Sequence, residues 1–246
     1  MENLIETIRK EFKEECDYIK EAHKLQIYKD VLANDINYHV PTVHTKYSNK
    51  RCLCMEYTKG IPIDKFCDGP VPQDLRNRIG ELLLRLVLKE IFIFRFMQSD
   101  PNPANFFYDT EKSQLVLIDL GAGRMFDKEF IDNYVQLVYA ATNRDKKGIL
   151  KFAKKINVLT GEENKRVLDS YIKLSLALGE PFNEETAPYY DFSTQEATEK
   201  IYKLMPEMIS SRLTPLPSET IPLNRKLSGN VKNYYRCLLT TNKIKS

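Results

Sequence analysis

Two prolines within three residues cut off the longest helix-like run in this sequence. From Leu75 to Phe94 the apolar residues Leu75, Ile79, Leu82, Leu83, Leu86, Val87 and Phe94 recur at three and four positions, the stripe of one buried helix face. The next stretch, QSDPNPANFFYD over residues 98 to 109, carries Pro101 and Pro103, which lack amide donors and force an extended loop. The chain then turns at once into LVLIDLGAG, a strand-like run from Leu115 to Ile118 that ends on Asp119. Any fold must therefore place a long buried helix, a polar loop and a short strand in immediate succession.

Elsewhere the order is simpler. Leu4, Ile5, Ile8, Phe12, Cys16 and Ile19 predict an amphipathic helix running to about Leu32. Val40 to Thr45 and Arg51 to Tyr57 predict two short strands paired as a hairpin across Tyr47-Ser48-Asn49-Lys50. Breaks follow at Gly60-Ile61-Pro62 and Gly69-Pro70-Val71-Pro72, and from Phe126 onward only helical periodicity is visible. We expect two lobes, residues 1–57 and 58–246, the second mostly helical. The first looks too small to fold alone.

Composition narrows the function classes. With 42% hydrophobic and 29% charged residues the chain reads as globular, and a formal charge of +3 does not point to nucleic acid. The window from Ile79 to Met97 contains Glu81, Arg85, Lys89, Glu90 and Arg95, which disfavour a bilayer span. The first residues carry Glu2, Glu6 and Glu11 and show neither signal-peptide nor transit-peptide character. Five cysteines, without a CxxC, read as reduced thiols, with Cys52 and Cys54 on one strand face and packed rather than metal-bound.

Asp100, Asn105 and Asp119 are poor core residues, and their spacing suggests chemistry. Phosphoryl transfer from ATP needs oxygen ligands for magnesium and a further carboxylate facing the attacking hydroxyl. Asp100 and Asn105 have the Asp-x-x-x-x-Asn spacing of a kinase catalytic loop, and Asp119-Leu120-Gly121 stands where a metal-binding Asp-Phe-Gly would stand. Each piece alone is ordinary turn chemistry. Their order, and the long helix before them, favour the kinase-like reading. Glu15, taken by itself, is a solvated helix residue.

QSDPNPANFFYD, LVLIDLGAGR, EECDYIKEA and RLTPLPSETIPLNRKLSG together resemble the UbiB/ADCK family of atypical kinases, in particular its mitochondrial branch that supports coenzyme Q (ubiquinone) biosynthesis. The resemblance implies an α+β, protein-kinase-like fold with a mostly helical large lobe and a truncated small lobe. It implies ATP or ADP with Mg2+ as ligands, Asp100 as the catalytic-loop aspartate, and Asn105 and Asp119 as metal ligands. Glu15 and Asp17 would form the Glu-x-Asp element of the helix-C region, and Glu56, Tyr57 and Thr58 would line the hinge beneath adenine. Implied partners are coenzyme Q biosynthesis proteins or lipid precursors, with peripheral membrane association and a mitochondrial location.

This chain departs from the family pattern in two ways. Leu120 replaces phenylalanine in the metal motif, and no Val-Ala-Ile-Lys-like strand occurs before Glu15. The second departure raises the expectation of an enzyme fragment, or alternatively a catalytically inactive scaffold of the biosynthetic complex. A phosphotransferase of the choline or aminoglycoside type would use a similar loop, but the RLTPLPSET segment argues against it.

Overall fold

The computed structural model describes residues 17–68, 70–100 and 102–185, with Glu199, Lys203, Leu204, Leu213, 217–220, Pro222, Leu223 and Lys226. The stripe of Leu4, Ile8 and Phe12, and Glu15 with it, lies outside these residues. Contacts divide the chain into two compact units, Met1–Leu75 with Met97–Arg124, and Arg76–Phe96 with Met125–Ser246.

In the first unit, helix α1 (Tyr18–Val31) starts where the Asp17 carboxylate accepts the Ile19 amide at 3.2 Å, a side-chain cap on an otherwise unpaired donor. Its buried side chains are Leu25 and Tyr28, whereas Ile19 is 53% exposed. The sequence periodicity had put Ile19 on the buried stripe. The observed phase instead places residues 21, 24, 25 and 28 on one face, at the three- and four-residue spacing of helical neighbours.

The core of this unit is a four-stranded sheet ordered β1 (Tyr38–His39), β5 (Gln114–Leu117), β4 (Phe106–Asp109) and β2 (Ile61–Pro62). β4 and β5 pair antiparallel, with Phe106 opposite Leu117 and Tyr108 opposite Leu115, and all four of these side chains are buried. β1 joins β5 in parallel and Pro62 opens no gap in the ladder, because β2 is an edge strand. Helix α2 (Ile63–Asp68) follows β2, and its Phe66 ring meets Tyr108 edge-on at 5.9 Å, a geometry worth about 1 kcal/mol beyond buried area. β3 (Phe96–Gln98) and β6 (Gly123–Met125) form a separate two-stranded sheet.

The predicted hairpin exists as hydrogen bonding rather than as full strands. Glu56 donates its amide to the Thr42 carbonyl at 2.8 Å, His44 to Cys54 at 2.8 Å, and Val43 bridges Met55. Cys54 is half-buried, but Cys52 is exposed, so the expected packing of both thiols fails for Cys52 at the turn.

The second unit is mostly helical among its described residues. Helix α3 (Gln73–Lys89) buries Ile79, Leu82, Leu83, Leu86 and Val87 as the periodicity predicts, then widens into a π turn over Glu90–Phe94. Arg95 takes the left-handed conformation, φ 53°, and its carbonyl accepts the Phe126 amide at 2.8 Å. Helices α4 (Lys128–Thr142), α5 (Lys146–Lys155) and α6 (Lys165–Gly179) are capped by Asp127, Asp145 and Asn164, each contributing about 1 kcal/mol. They share a core of Leu137, Ala140, Ala141, Ile149, Ala153, Ile156, Leu159 and Tyr171. Close approach requires Gly179, where an added Cβ would lie 2.6 Å from the Ala141 carbonyl carbon. The Lys226 ammonium sits 3.2 Å from the Glu90 carboxylate, both fully buried, which ties part of the RLTPLPSETIPLNRKLSG stretch to the end of α3.

Candidate functional site

All three polar residues singled out in the sequence lie in the first unit, on two loops that hydrogen bonds lash together. The Asn105 side-chain amide donates to Asp100 Oδ2 at 2.8 Å, and the Asn102 amide to Asp100 Oδ1 at 3.2 Å. Asn105 sits in a 3-10 turn, Pro103–Asn105, started by a proline with its φ preset. Its backbone carbonyl accepts the Ile118 amide at 3.0 Å, one residue before Asp119. Because the Asn105 nitrogen is committed to Asp100, the amide oxygen is its remaining acceptor.

The short strand β3 supplies the second tie. The Gln98 side-chain amide donates to the Asp119 carbonyl at 3.0 Å, while the Gln98 backbone amide donates to the Tyr28 hydroxyl of α1 at 2.5 Å. Ser99 donates both its amide, at 3.1 Å, and its hydroxyl, at 2.9 Å, to the Ala122 carbonyl. Gln98 and Ser99 are buried, and Asp100, the next residue, emerges half-exposed. The QSD tripeptide thus clamps the 119–122 turn with two residues and presents the third.

Asp119 itself is exposed, with Oδ1 accepting the Gly121 amide at 2.9 Å. Leu120, in place of the family's phenylalanine, has no exposed surface, so the substitution keeps an apolar anchor beneath the turn. The turn leaves the outer Asp119 oxygen and the Asn105 amide oxygen as hard donors of the kind magnesium takes alongside phosphate. No group of three or more His, Cys, Asp or Glu residues with metal-holding geometry occurs among the described residues. Two such oxygens are fewer donors than a hard divalent ion takes, so magnesium at this turn would need further oxygens from phosphate or water.

Helix α1 adds two residues that sequence reasoning passed over. Glu21 faces the Asp119 turn, its carboxyl carbon 3.7 Å from where a Gly121 Cβ would stand. Burial, reinforced by the Asp119 charge and partly relieved by Lys24, pushes the Glu21 carboxyl up to about 7. Lys24, one turn on, donates its ammonium to the Gly121 carbonyl. Their signal was present in the phase of 21, 24, 25 and 28, but four acids within residues 14–21 compete for attention and only the fold selects among them.

Of the remaining expected site residues, Glu15 lies outside the described residues, and Asp17, Glu56 and Tyr57 make the following contacts. Asp17 caps α1. The Glu56 carboxylate accepts the Thr42 amide and hydroxyl, both at 3.0 Å, and lies 3.3 Å from His39. The Thr42 amide holds its carboxyl below the usual range, burial opposes this, and the Thr42 hydroxyl, His39 and Lys29 assist. Tyr57 is 90% exposed, open to contact.

Comparison with known proteins bears on this geometry. Residues 1–153 match the family model described as ABC1 atypical kinase-like domain. The chain is 42% identical to the atypical kinase COQ8B, mitochondrial, of Rattus norvegicus, over 93% of this chain and 42% of that protein. It is 37% identical to the atypical kinase COQ8, mitochondrial, of Saccharomyces cerevisiae, over 93% of this chain and 45% of that protein. The chain thus spans less than half the length of these relatives. Among solved structures, the Rv3197–erythromycin complex from Mycobacterium tuberculosis superposes with a TM-score of 0.72 at 17% identity, covering 95% of this chain and 57% of that one. The α+β, protein-kinase-like fold expected from the sequence is the fold observed.

Proposed function

This chain belongs to the ABC1 atypical kinase-like family, and we propose on that ground that it is the nucleotide-handling part of an atypical kinase or ATPase supporting ubiquinone biosynthesis. The observation that carries the reading is the double tie between the two loops, Asn105 carbonyl to Ile118 amide and Gln98 amide to Asp119 carbonyl, each at 3.0 Å. It fixes Asp100, Asn105 and Asp119 relative to one another without using the side-chain oxygens that a metal and a substrate would need.

In this reading the Asn105 amide oxygen and the second Asp119 oxygen would hold Mg2+, which would supply charge neutralisation at the ATP phosphates. Asp100 orients the attacking hydroxyl or water and accepts its proton at the carboxylate. Asn105, bonded to Oδ2, keeps that carboxylate aimed. Lys24 braces the Asp119 turn from α1, with Glu21 beside it. By the same family reading Glu15 and Asp17 supply the Glu-x-Asp motif, and Glu56 and Tyr57 with Thr58 border adenine through backbone groups. Location in mitochondria and a peripheral association with the membrane follow from the same family reading, as do partners among coenzyme Q biosynthesis proteins or lipid precursors.

Asp100→Asn in the protein expressed from its complete reading frame tests the role of the loop. Nucleotide affinity should stay within about two-fold while turnover at saturating ATP falls by at least ~100-fold. Loss of binding with turnover retained would exchange the roles of Asp100 and Asp119.

A further inference from the structure

The charge of this chain is concentrated on one helix. Residues 144–155 hold Arg144, Lys146, Lys147, Lys151, Lys154 and Lys155 against the single carboxylate of Asp145, a surplus of five positive charges where the whole chain carries +3. All six cations are exposed. Asp145 offsets one of them, and its carboxylate accepts the Lys147 and Gly148 amides at 3.1 and 3.0 Å as the cap of α5 rather than pairing with a lysine ammonium. None of the six forms an ion pair among the described residues, although surface cations elsewhere do, as in Lys128 with Asp132 and Arg85 with Glu81.

The arrangement is ordered as well as charged. Lys147, Lys151 and Lys155 follow at four-residue steps, so they form one stripe along α5, spaced at roughly 6 Å. The Lys151 and Lys155 ammonium groups lie 5.2 and 5.7 Å from the centroid of the Phe152 ring, close enough for the ring face to hold them in place. Like charges in a row repel, and nothing in the packing of α5 needs them, since its apolar side is spent on Ile149 and Ala153 in the core.

We propose that this stripe docks an acidic helix of a partner protein, one presenting Glu or Asp at the same four-residue steps. The chemistry favours a polypeptide over a lipid surface. A helix lying on a bilayer turns an apolar face to the acyl chains, whereas the apolar face of α5 is buried in its own unit and Phe152 is half-covered. Matched carboxylates at about 6 Å intervals would meet all three lysines at once, with charge complementarity fixing register and partner choice.

Two synthetic helical peptides of identical composition and net charge test this, one with Glu at four-residue steps along a single face and one with the same residues scrambled. In fluorescence anisotropy with the whole protein, the ordered peptide should bind at least ten-fold more tightly. Lys151→Glu should abolish that preference, Lys151→Gln should weaken it, and Lys50→Glu, on the other unit, should leave it unchanged. Circular dichroism establishes that the variants are folded. Equal affinity for the two peptides, or the same preference in Lys151→Glu, would overturn the proposal. So would binding to anionic phosphatidylserine vesicles that depends on Lys151 without any peptide preference.

Discussion

The side-chain amide of Gln98 donates to the backbone carbonyl of Asp119 at 3.0 Å, so a residue with no chemistry of its own positions the one proposed to meet the metal. Gln98 is fully buried, and its backbone amide rests on the Tyr28 hydroxyl. Helix α1, the loop that follows Gln98 and the 119–122 turn are thereby one hydrogen-bonded unit. Replacing Gln98 with Met keeps the volume but leaves the Asp119 carbonyl without this donor. We expect a loss of about 1–3 kcal/mol in unfolding free energy and a weaker magnesium-dependent nucleotide affinity, measured by denaturation and calorimetry. An unchanged affinity would show that the tie is structural only.

Glu21 gives the apo protein a pH dependence. Burial and the Asp119 charge push its carboxyl up to about 7, above the ordinary glutamate value of 4.5. Between these values the folded chain keeps a proton that the unfolded chain has released, so stability falls as pH rises through the window. Glu21→Gln should therefore match the parent near pH 4 and exceed it above pH 7. After allowance for solvent screening at a half-buried group, the gain is on the order of 1 kcal/mol. Thermal melts across that range check it, and a constant offset at every pH would exclude titration of Glu21 as the cause.

Gly179 separates α6 from α4 by less than a methyl group allows, with an added Cβ 2.6 Å from backbone carbon and 2.8 Å from backbone oxygen of Ala141. Backbone cannot rotate away as a side chain can. Gly179→Ala should cost about 1–3 kcal/mol through overpacking, despite the better helix propensity of alanine. A rise in melting temperature would mean that the two helices part easily.

The sequence made some of this legible and hid the rest for physical reasons. Proline chemistry marks the loop between β3 and β4, although Phe106–Asp109, expected to continue that loop, is strand β4, and period alone finds the buried face of α3 from Ile79 to Val87. The Asp-x-x-x-x-Asn spacing picks out Asp100 and Asn105 because a short loop fixes how far apart they can be, and the structure joins them at 2.8 Å. Gln98, Ser99 and Tyr28 were not legible. Their role is to hydrogen-bond backbone carbonyls and amides brought near by tertiary folding, and no spacing rule encodes that. Ile19 misled the phase of α1 because a lone apolar residue near a helix start can stand in solvent, as this one does at 53% exposure.

Magnesium-dependent ADP binding to the protein from its complete reading frame, compared by calorimetry between the parent and Asp119→Asn, tests the central claim most directly. The variant keeps the size of the side chain and its capacity to accept the Gly121 amide, now 2.9 Å away, but gives up the negative charge. The parent should bind ADP more tightly with magnesium than without, and the variant should lose this magnesium-dependent gain by at least ~10-fold while remaining folded. Equal magnesium dependence in the two proteins would contradict it, and Asp119 would then be the end of a turn and nothing more.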